Sequence, residues 1–283
     1  MTTVNNLKTV LLLGLLSGLL LLGGQAIGGR SGLYTGLLMA VVMNFVSYFF
    51  SEKIALSMYR AQPLTETENS QLYYRVAPMV KNLCQRMDLP MPRLWVIPDN
   101  SPNAFATGRN PSHSSVAMTV GLVELMDERE LEGVIAHELG HIKNRDILTS
   151  SIAATIGAAI TNLAYVAMFF GGRRDDDDEG VNPLAGLMLL ILGPIAATLI
   201  QMAISRTREY AADAIAAKYT GSPSGLVNAL RKLETWSHRI PLDASPATAH
   251  MFIIKPFSGQ AMMRLFSTHP STEERIARLQ ALA

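Results

Sequence analysis

The stretch Val134-Ile135-Ala136-His137-Glu138-Leu139-Gly140-His141 carries the pattern His-Glu-x-x-His. On an α-helix, side chains four residues apart stand one above the other on a single face. His137 and His141 therefore direct two imidazole nitrogens at one point, as two ligands of a tetrahedral metal ion must. Glu138, beside the first of them, is placed to take a proton from a metal-bound water. The flanking residues predict the helix itself. Asp127 is a good N-cap, Glu130 three residues on completes a capping box, and Leu131, Val134, Ile135 and Leu139 form an apolar stripe. Surface histidines on an ordinary helix are the alternative; a zinc hydrolase is the reading preferred.

A catalytic zinc ordinarily has three protein ligands and one open position, so the elements that bring a third ligand must be found. The chain has 283 residues, 49% of them hydrophobic, and the apolar excess is concentrated in four uncharged runs: residues 9–27, 33–50, 147–170 and 184–204. Each has roughly the 17–25 residues a helix needs to cross about 30 Å of hydrocarbon. Four spans are expected. The first has a cleaved signal peptide as its alternative, since Lys8 precedes it, but the run is long for that and a second span follows at once. After the fourth span the chain re-emerges at Ser205, four residues before Glu209. Spans three and four form a hairpin, so His141 and Glu209 lie within about 10 Å of the same membrane face at 1.5 Å per residue. Glu209 is thus the expected third ligand. Asp213, one helical turn on, can accept a hydrogen bond from a ligand histidine's second nitrogen. Asp146 is a weaker alternative ligand, expected to be rotated away from the metal.

Orientation follows from Lys and Arg near the span ends. Lys8, Lys53, Arg60, Lys143, Arg145, Arg206 and Arg208 lie on one side; Arg30, Arg173 and Arg174 lie on the other, the last two beside the acidic run 175–179. That asymmetry puts both termini and the stretch between spans two and three in the cytoplasm. The expected organisation is a transmembrane hairpin over 1–51, a first catalytic part over 52–146, a second hairpin over 147–204 and a second catalytic part over 205–283. The net charge of +1 gives no sign of a nucleic-acid partner. No Gly-rich loop ending in Gly-Lys-Ser/Thr suggests ATP use. The single cysteine, Cys84, excludes an intramolecular disulfide.

Between the hairpins the first soluble element expected is an amphipathic helix over 65–89, with Leu72, Val76, Met79, Val80 and Leu83 on one side. Three strands are expected at 93–97, 103–108 and 115–122, the last two separated by the turn-prone Asn110-Pro111-Ser112. They make a small sheet beside the metal helix. The fold class expected is a mainly α membrane protein: four transmembrane helices plus an α+β, zincin-like metalloprotease domain with a small sheet. His113, His238 and His250 read as surface or loop residues. Met251-Phe252-Ile253-Ile254, with Phe257, is an apolar patch that reads either as core packing or as a lid. Pro194 should kink the fourth span.

His137 to His141 running into Ile142-Lys143-Asn144-Arg145-Asp146, followed by Arg208-Glu209-Tyr210-Ala211-Ala212-Asp213, resembles the HtpX family of bacterial membrane metalloproteases, relatives of the CAAX prenyl proteases. The resemblance extends to Asn103-Ala104-Phe105-Ala106-Thr107-Gly108, to Thr268-His269-Pro270 with Arg275 behind it, and to the order of spans and motifs, so it covers nearly the whole chain. It implies one Zn²⁺ held by His137, His141 and Glu209, with Asp213 as partner to a ligand. It implies that Asn103, Ala104, Phe105 and Ala106 lie on an edge strand that receives substrate, and that His269 and Arg275 are accessory groups near the reacting carbonyl. Arg275 would hold a carboxylate or the oxyanion region in place. His269 has a plain loop residue as its alternative.

The function expected is an ATP-independent zinc metalloendopeptidase of the bacterial inner membrane, cutting unfolded or misfolded membrane proteins at the cytoplasmic face in quality control and stress response. Edge-strand pairing gives affinity through main-chain hydrogen bonds with little side-chain selectivity. Three rivals stand beside it. A site-2-type intramembrane protease would need the motif inside a span, where residues 127–132 and 143–146 are too charged. A site-specific prenyl-protease-like enzyme would need a larger enclosed chamber. A scaffold with structural zinc would have no need of Glu138 and would want a fourth protein ligand.

Overall fold

A computed structural model describes residues 2–153, 155–156, 206–237, 253 and 270–282. The first helical segment, α1, covers Thr2–Met58. It is not one rod. A straight helix would hold residues 17 and 44 about 40 Å apart, yet Asn44 Nδ2 donates to Ser17 Oγ at 2.9 Å. The chain reverses at Gly29, whose φ of +56° is a conformation glycine adopts without a Cβ clash. The two arms contain stretches, Asn5–Leu22 and Gly29–Met58, that are long and apolar enough to cross a membrane. Sixteen of the nineteen large hydrophobic side chains that the described residues expose fall between Leu7 and Met58. Water would not support such a surface, whereas lipid does.

A four-stranded sheet follows: β1 (Gln62–Pro63), β2 (Arg93–Ile97), β3 (Ala104–Asn110) and β4 (His113–Thr119), in the spatial order β1-β2-β4-β3. The β2–β4 pair is parallel, and the other two pairs are antiparallel. Side chains alternate between two apolar layers, as the two-residue period of a strand dictates. Leu94, Val96, Ala104, Ala106, Val116 and Met118 enter the main core. Ile97, Phe105 and Ala117 face Ala55, Leu56 and Tyr59 from the end of α1. Both faces are covered, which is why the strands read as near-continuous apolar runs.

Helix α2 (Ser70–Met87) starts after Asn69, which is in the left-handed region, and buries Val76, Ala77, Val80, Leu83, Cys84 and Met87. It is shorter at its start than the 65–89 expected. The expected strand 115–122 also ends early. Thr119 Oγ1 accepts from the Leu122 N–H and caps a short helix, α3 (Val120–Leu125). The two-residue β1 has no periodicity to announce it.

Helix α4 (Glu128–Lys143) carries the metal motif and opens on the expected capping box. Asp127 Oδ1 accepts from the Arg129 and Glu130 N–H groups at 2.9 Å each, and Glu130 Oε2 accepts from the Asp127 N–H at 2.9 Å. Helices α5 (Arg206–Thr220), α6 (Ser224–Ser237) and α7 (Thr272–Gln280) complete the described residues. Residues 147–153 and 155–156 are helical at the start of the expected third span. The remainder of spans three and four, the acidic run 175–179, Pro194, His238, His250 and most of the patch after 250 lie outside the described residues. Of that patch Ile253 is described, and it is packed into the main core. His113, the first residue of β4, is exposed beside Asn110, as expected of a surface residue.

Candidate active site

The site lies where α4 and α5 cross. The capped start of α4 fixes its register, and the four-residue spacing puts His137 and His141 on one face, their Nε2 atoms 3.2 Å apart. Glu209 sits in the first turn of α5. Its Oε2 is 3.7 Å from His137 Nε2 and its Oε1 is 3.7 Å from His141 Nε2. The helices approach this closely because the facing residues are small. A Cβ on Gly140 would lie 3.1 Å from Ala212 Cα, and one on Gly133 would meet the Leu226 backbone nitrogen at 2.6 Å.

Each imidazole has a carboxylate behind it. His137 Nδ1 is 2.9 Å from Asp213 Oδ1. His141 Nδ1 lies 3.2 and 3.3 Å from the two oxygens of Asp146. Asp146 is turned away from the clustered ligand atoms, as expected, and it faces the rear nitrogen of His141. Since a carboxylate only accepts, both Nδ1 atoms donate, and both Nε2 atoms point inward. Two inward nitrogens at 3.2 Å require a positive charge between them, whether proton or metal ion.

The donor set fits zinc. Two imidazole nitrogens and one carboxylate come within 4.8 Å of one another. Tetrahedral ligands at about 2.0–2.1 Å from zinc would be about 3.3–3.4 Å apart, close to the 3.2 and 3.7 Å separations here. Charge leads to the same result. Glu138, Asp146, Glu209 and Asp213 are buried together with two guanidiniums, Arg208 and Arg275. Four negative charges against two positive leave a deficit that one divalent cation cancels, and buried charge must be compensated.

The titration behaviour follows from that surplus. Burial works against the charged form of His141, yet Asp146 and Glu209 outweigh it and raise its pKa to about 9. Burial raises Glu138 to about 7, with His141 opposing and Glu209 adding to the rise. His137 is pushed below its ordinary value by burial and then by the Arg275 charge, with Asp213 opposing. Asp213 is held below the carboxylate range by Arg275, and Asp146 by His141 and Arg208, in each case against burial.

Arg275 is buried at the start of α7, 2% exposed. Its Nε and Nη2 donate to the Asp213 oxygens at 2.9 and 2.7 Å, and its Nη1 donates to the Ile253 carbonyl at 3.0 Å. It thus holds a carboxylate, the one behind His137. Its Nη2 is 3.3 Å from His137 Nδ1, a charge contact rather than a hydrogen bond, because both atoms are donors. His269 lies outside the described residues. Among the residues expected to meet substrate, Ala104, Phe105 and Ala106 belong to β3, an edge strand of the sheet. Asn103 precedes it, its N–H donating to Thr119 Oγ1 and its Oδ1 accepting from the Ala104 N–H. The backbone of Ala106 acts on the Glu138 carboxyl against the rise in its pKa, which puts the strand beside the motif.

Sequence reasoning missed the partnership of Asp146 with His141 and that of Arg208 with Asp146. The nearest signal was proximity, Asp146 lying five residues after His141. The turn that brings it back runs through Arg145 at φ +56°, a place where sequence patterns look for glycine.

Comparison with known proteins agrees with this chemistry. Residues 70–283 match the model of Peptidase family M48. A curated "Protease HtpX homolog" of Desulforapulum autotrophicum is 52% identical over 280 residues, covering 98% of this chain and 89% of that protein. The homologue of Desulfatibacillum aliphaticivorans is 53% identical, covering 97% and 89%. That of Thermodesulfovibrio yellowstonii is 51% identical and spans 99% of both. Among solved structures, the crystal structure of S. mikatae Ste24p aligns with a TM-score of 0.53 at 18% identity, over 98% of this chain and 65% of that one, a likeness of fold. The chain belongs to peptidase family M48 and is a membrane metalloprotease similar throughout its length to the HtpX proteases.

Proposed function

We propose that this protein is a zinc endopeptidase that cuts unfolded or misfolded membrane-protein segments at the cytoplasmic face of the bacterial inner membrane, without ATP. The observation that carries the reading is the convergence of His137, His141 and Glu209 beside a buried Glu138. His137 and His141 would hold zinc through Nε2 and Glu209 through its carboxylate. Zinc supplies Lewis acidity there, acidifying water and polarising a carbonyl.

Glu138 is the general base: it takes a proton from the attacking water and returns it to the leaving amine. The backbone of Ala106 in β3 lies close enough to act on that carboxyl, so substrate held on β3 would lie beside the base. An extended substrate adds to β3 as a further strand beside Ala104 to Ala106, bound chiefly by main-chain hydrogen bonds. Asp213 and Arg275 keep His137 aimed inward. His269 is assigned the role of donor to the developing oxyanion.

Four membrane spans fit what is described. The first arm of α1 packs Leu12 and Leu16 against Ile152, Ala153 and Ile156, so a third helix lies beside it. The chain leaves at Asp146 and returns at Arg208, and these two residues form an ion pair at 3.0 Å. A stretch that starts and ends at one point of one face crosses an even number of times.

The test uses the purified full chain in detergent with an unfolded substrate. Cleavage should disappear with a chelator, return with zinc, and be absent in Glu138→Ala at unchanged zinc content. Equal cleavage by wild type and Glu138→Ala would refute the proposal, as would an inactive wild type after zinc is restored.

A further inference from the structure

We infer that Asp146 and Arg208 form a positioning pair for His141: Asp146 aims the ligand imidazole, and Arg208 holds Asp146 in place. This rests on the zinc centre proposed above. The Asp146 side chain is fully buried, and its two oxygens lie 3.2 and 3.3 Å from His141 Nδ1. Its backbone is also fixed, because the Asp146 N–H donates to the His141 carbonyl at 3.2 Å. The chain has turned sharply through Arg145 to bring the carboxylate behind the ring.

Arg208 approaches from α5. Its Nε donates to Asp146 Oδ2 at 3.0 Å, and its Nη2 donates to Ser150 Oγ at 2.6 Å and to the Asp146 carbonyl at 3.4 Å. The same three-part order appears on the other ligand, where Arg275 grips Asp213 and Asp213 faces His137 Nδ1. Two histidines, two carboxylates and two buried arginines make parallel supports. Partners of this kind fix the tautomer and the ring orientation of a metal-bound histidine.

The placement of Arg208 gives the pair a further consequence. Arg208 immediately precedes Glu209, so a single turn of α5 delivers one ligand and anchors the support of another. Asp146 and Ser150 lie at the start of the helix that follows α4. Any shift of α5 against that helix moves Glu209 and loosens His141 together. A bridge that only joined two chain ends would add stability without changing the affinity of the folded protein for metal.

The experiment measures zinc affinity by chelator competition on the full chain in detergent, for wild type, Asp146→Asn, Arg208→Gln and the double variant. It also records the visible spectrum of each after cobalt substitution. Asp146→Asn should weaken zinc binding by about 10- to 100-fold and shift the cobalt spectrum. Arg208→Gln should act in the same direction by less. The double variant should match Asp146→Asn alone, because Arg208 acts through Asp146. Affinity within twofold of wild type in folded Asp146→Asn, with an unchanged cobalt spectrum, would overturn the inference. Should Asp146→Asn yield no folded protein, Arg208→Lys carries the test, since it keeps the charge and loses the fork. About threefold weaker zinc binding is then expected, and wild-type affinity would refute the pair. A wild-type chain that held no zinc would sink the metal centre itself, a result distinct from any difference among variants.

Discussion

The His137 ring is fully buried, and ionised groups surround it. Asp213 and Arg275 form a two-pronged ion pair behind it, 4% and 2% exposed at their side chains. Such a pair adds little net stability over an apolar replacement, but removing one partner strands the other charge out of water. The surroundings make this worse, because the cluster already has more carboxylates than guanidiniums. Arg275→Ala should therefore destabilise the metal-free chain by about 3–5 kcal/mol, read as a lower unfolding midpoint in detergent. The companion change Asp213→Ala in the same chain should restore part of the loss, since it removes the stranded carboxylate. An Arg275→Ala protein as stable as wild type would mean that Asp213 finds its neutralisation elsewhere. His137 would remain a ligand in either case, so stability and metal affinity separate the two contributions.

At the scale of elements, the decisive contact is the crossing of α4 with α5 and α6. Glycine at 133 and 140 costs some intrinsic helix stability, and it allows the backbones to approach until Glu209 reaches the histidines. Gly133→Ala would place a methyl 2.6 Å from the Leu226 backbone nitrogen, where no flexible side chain can yield. The expected cost is about 1–3 kcal/mol, measured on the unfolding midpoint, and an unchanged midpoint would show that α6 moves aside freely. This explains which parts of the molecule could be read in advance. Asp127, Glu130 and the His-Glu-x-x-His spacing act within one helix, so local pattern exposes them. Glu209 is 68 positions from His141, yet the two apolar runs between them predict a hairpin that would return it to the histidines. The end of β4 was hidden because Thr119 belongs to the strand and caps the next helix at once. The turn at Arg145 was hidden because its left-handed backbone is held by the buried Asp146 beyond it rather than by a glycine.

The whole molecule is organised by where its apolar surface faces. Both arms of α1 return to the catalytic side: Asn5 Nδ2 donates to the Asn144 carbonyl at 3.3 Å near the end of α4, and Ala55, Leu56 and Tyr59 cover the sheet. The turn at Gly29 must then lie at the opposite end of the hairpin, about 36 Å from Asn5 along the helical first arm. Thr9 Oγ1 and Thr149 Oγ1 meet at 3.0 Å, so the first arm and the helix after α4 start at the same depth. The chain that departs after Asp146 has rejoined it by Arg208, which places the middle of 157–205 beyond the bilayer if that stretch forms the second hairpin. On the proposed orientation, the excess of Lys and Arg on the catalytic side would put that side in the cytoplasm. Tags inserted beside Asp175 and after Ala283 should accordingly be reached from opposite faces of the membrane, and a tag beside Arg30 should behave as the one at Asp175 does. If the tags at Asp175 and Ala283 were reached from the same face, the second hairpin would not cross. The ion pair of Asp146 with Arg208 would then join two ends of a loop lying on the membrane surface.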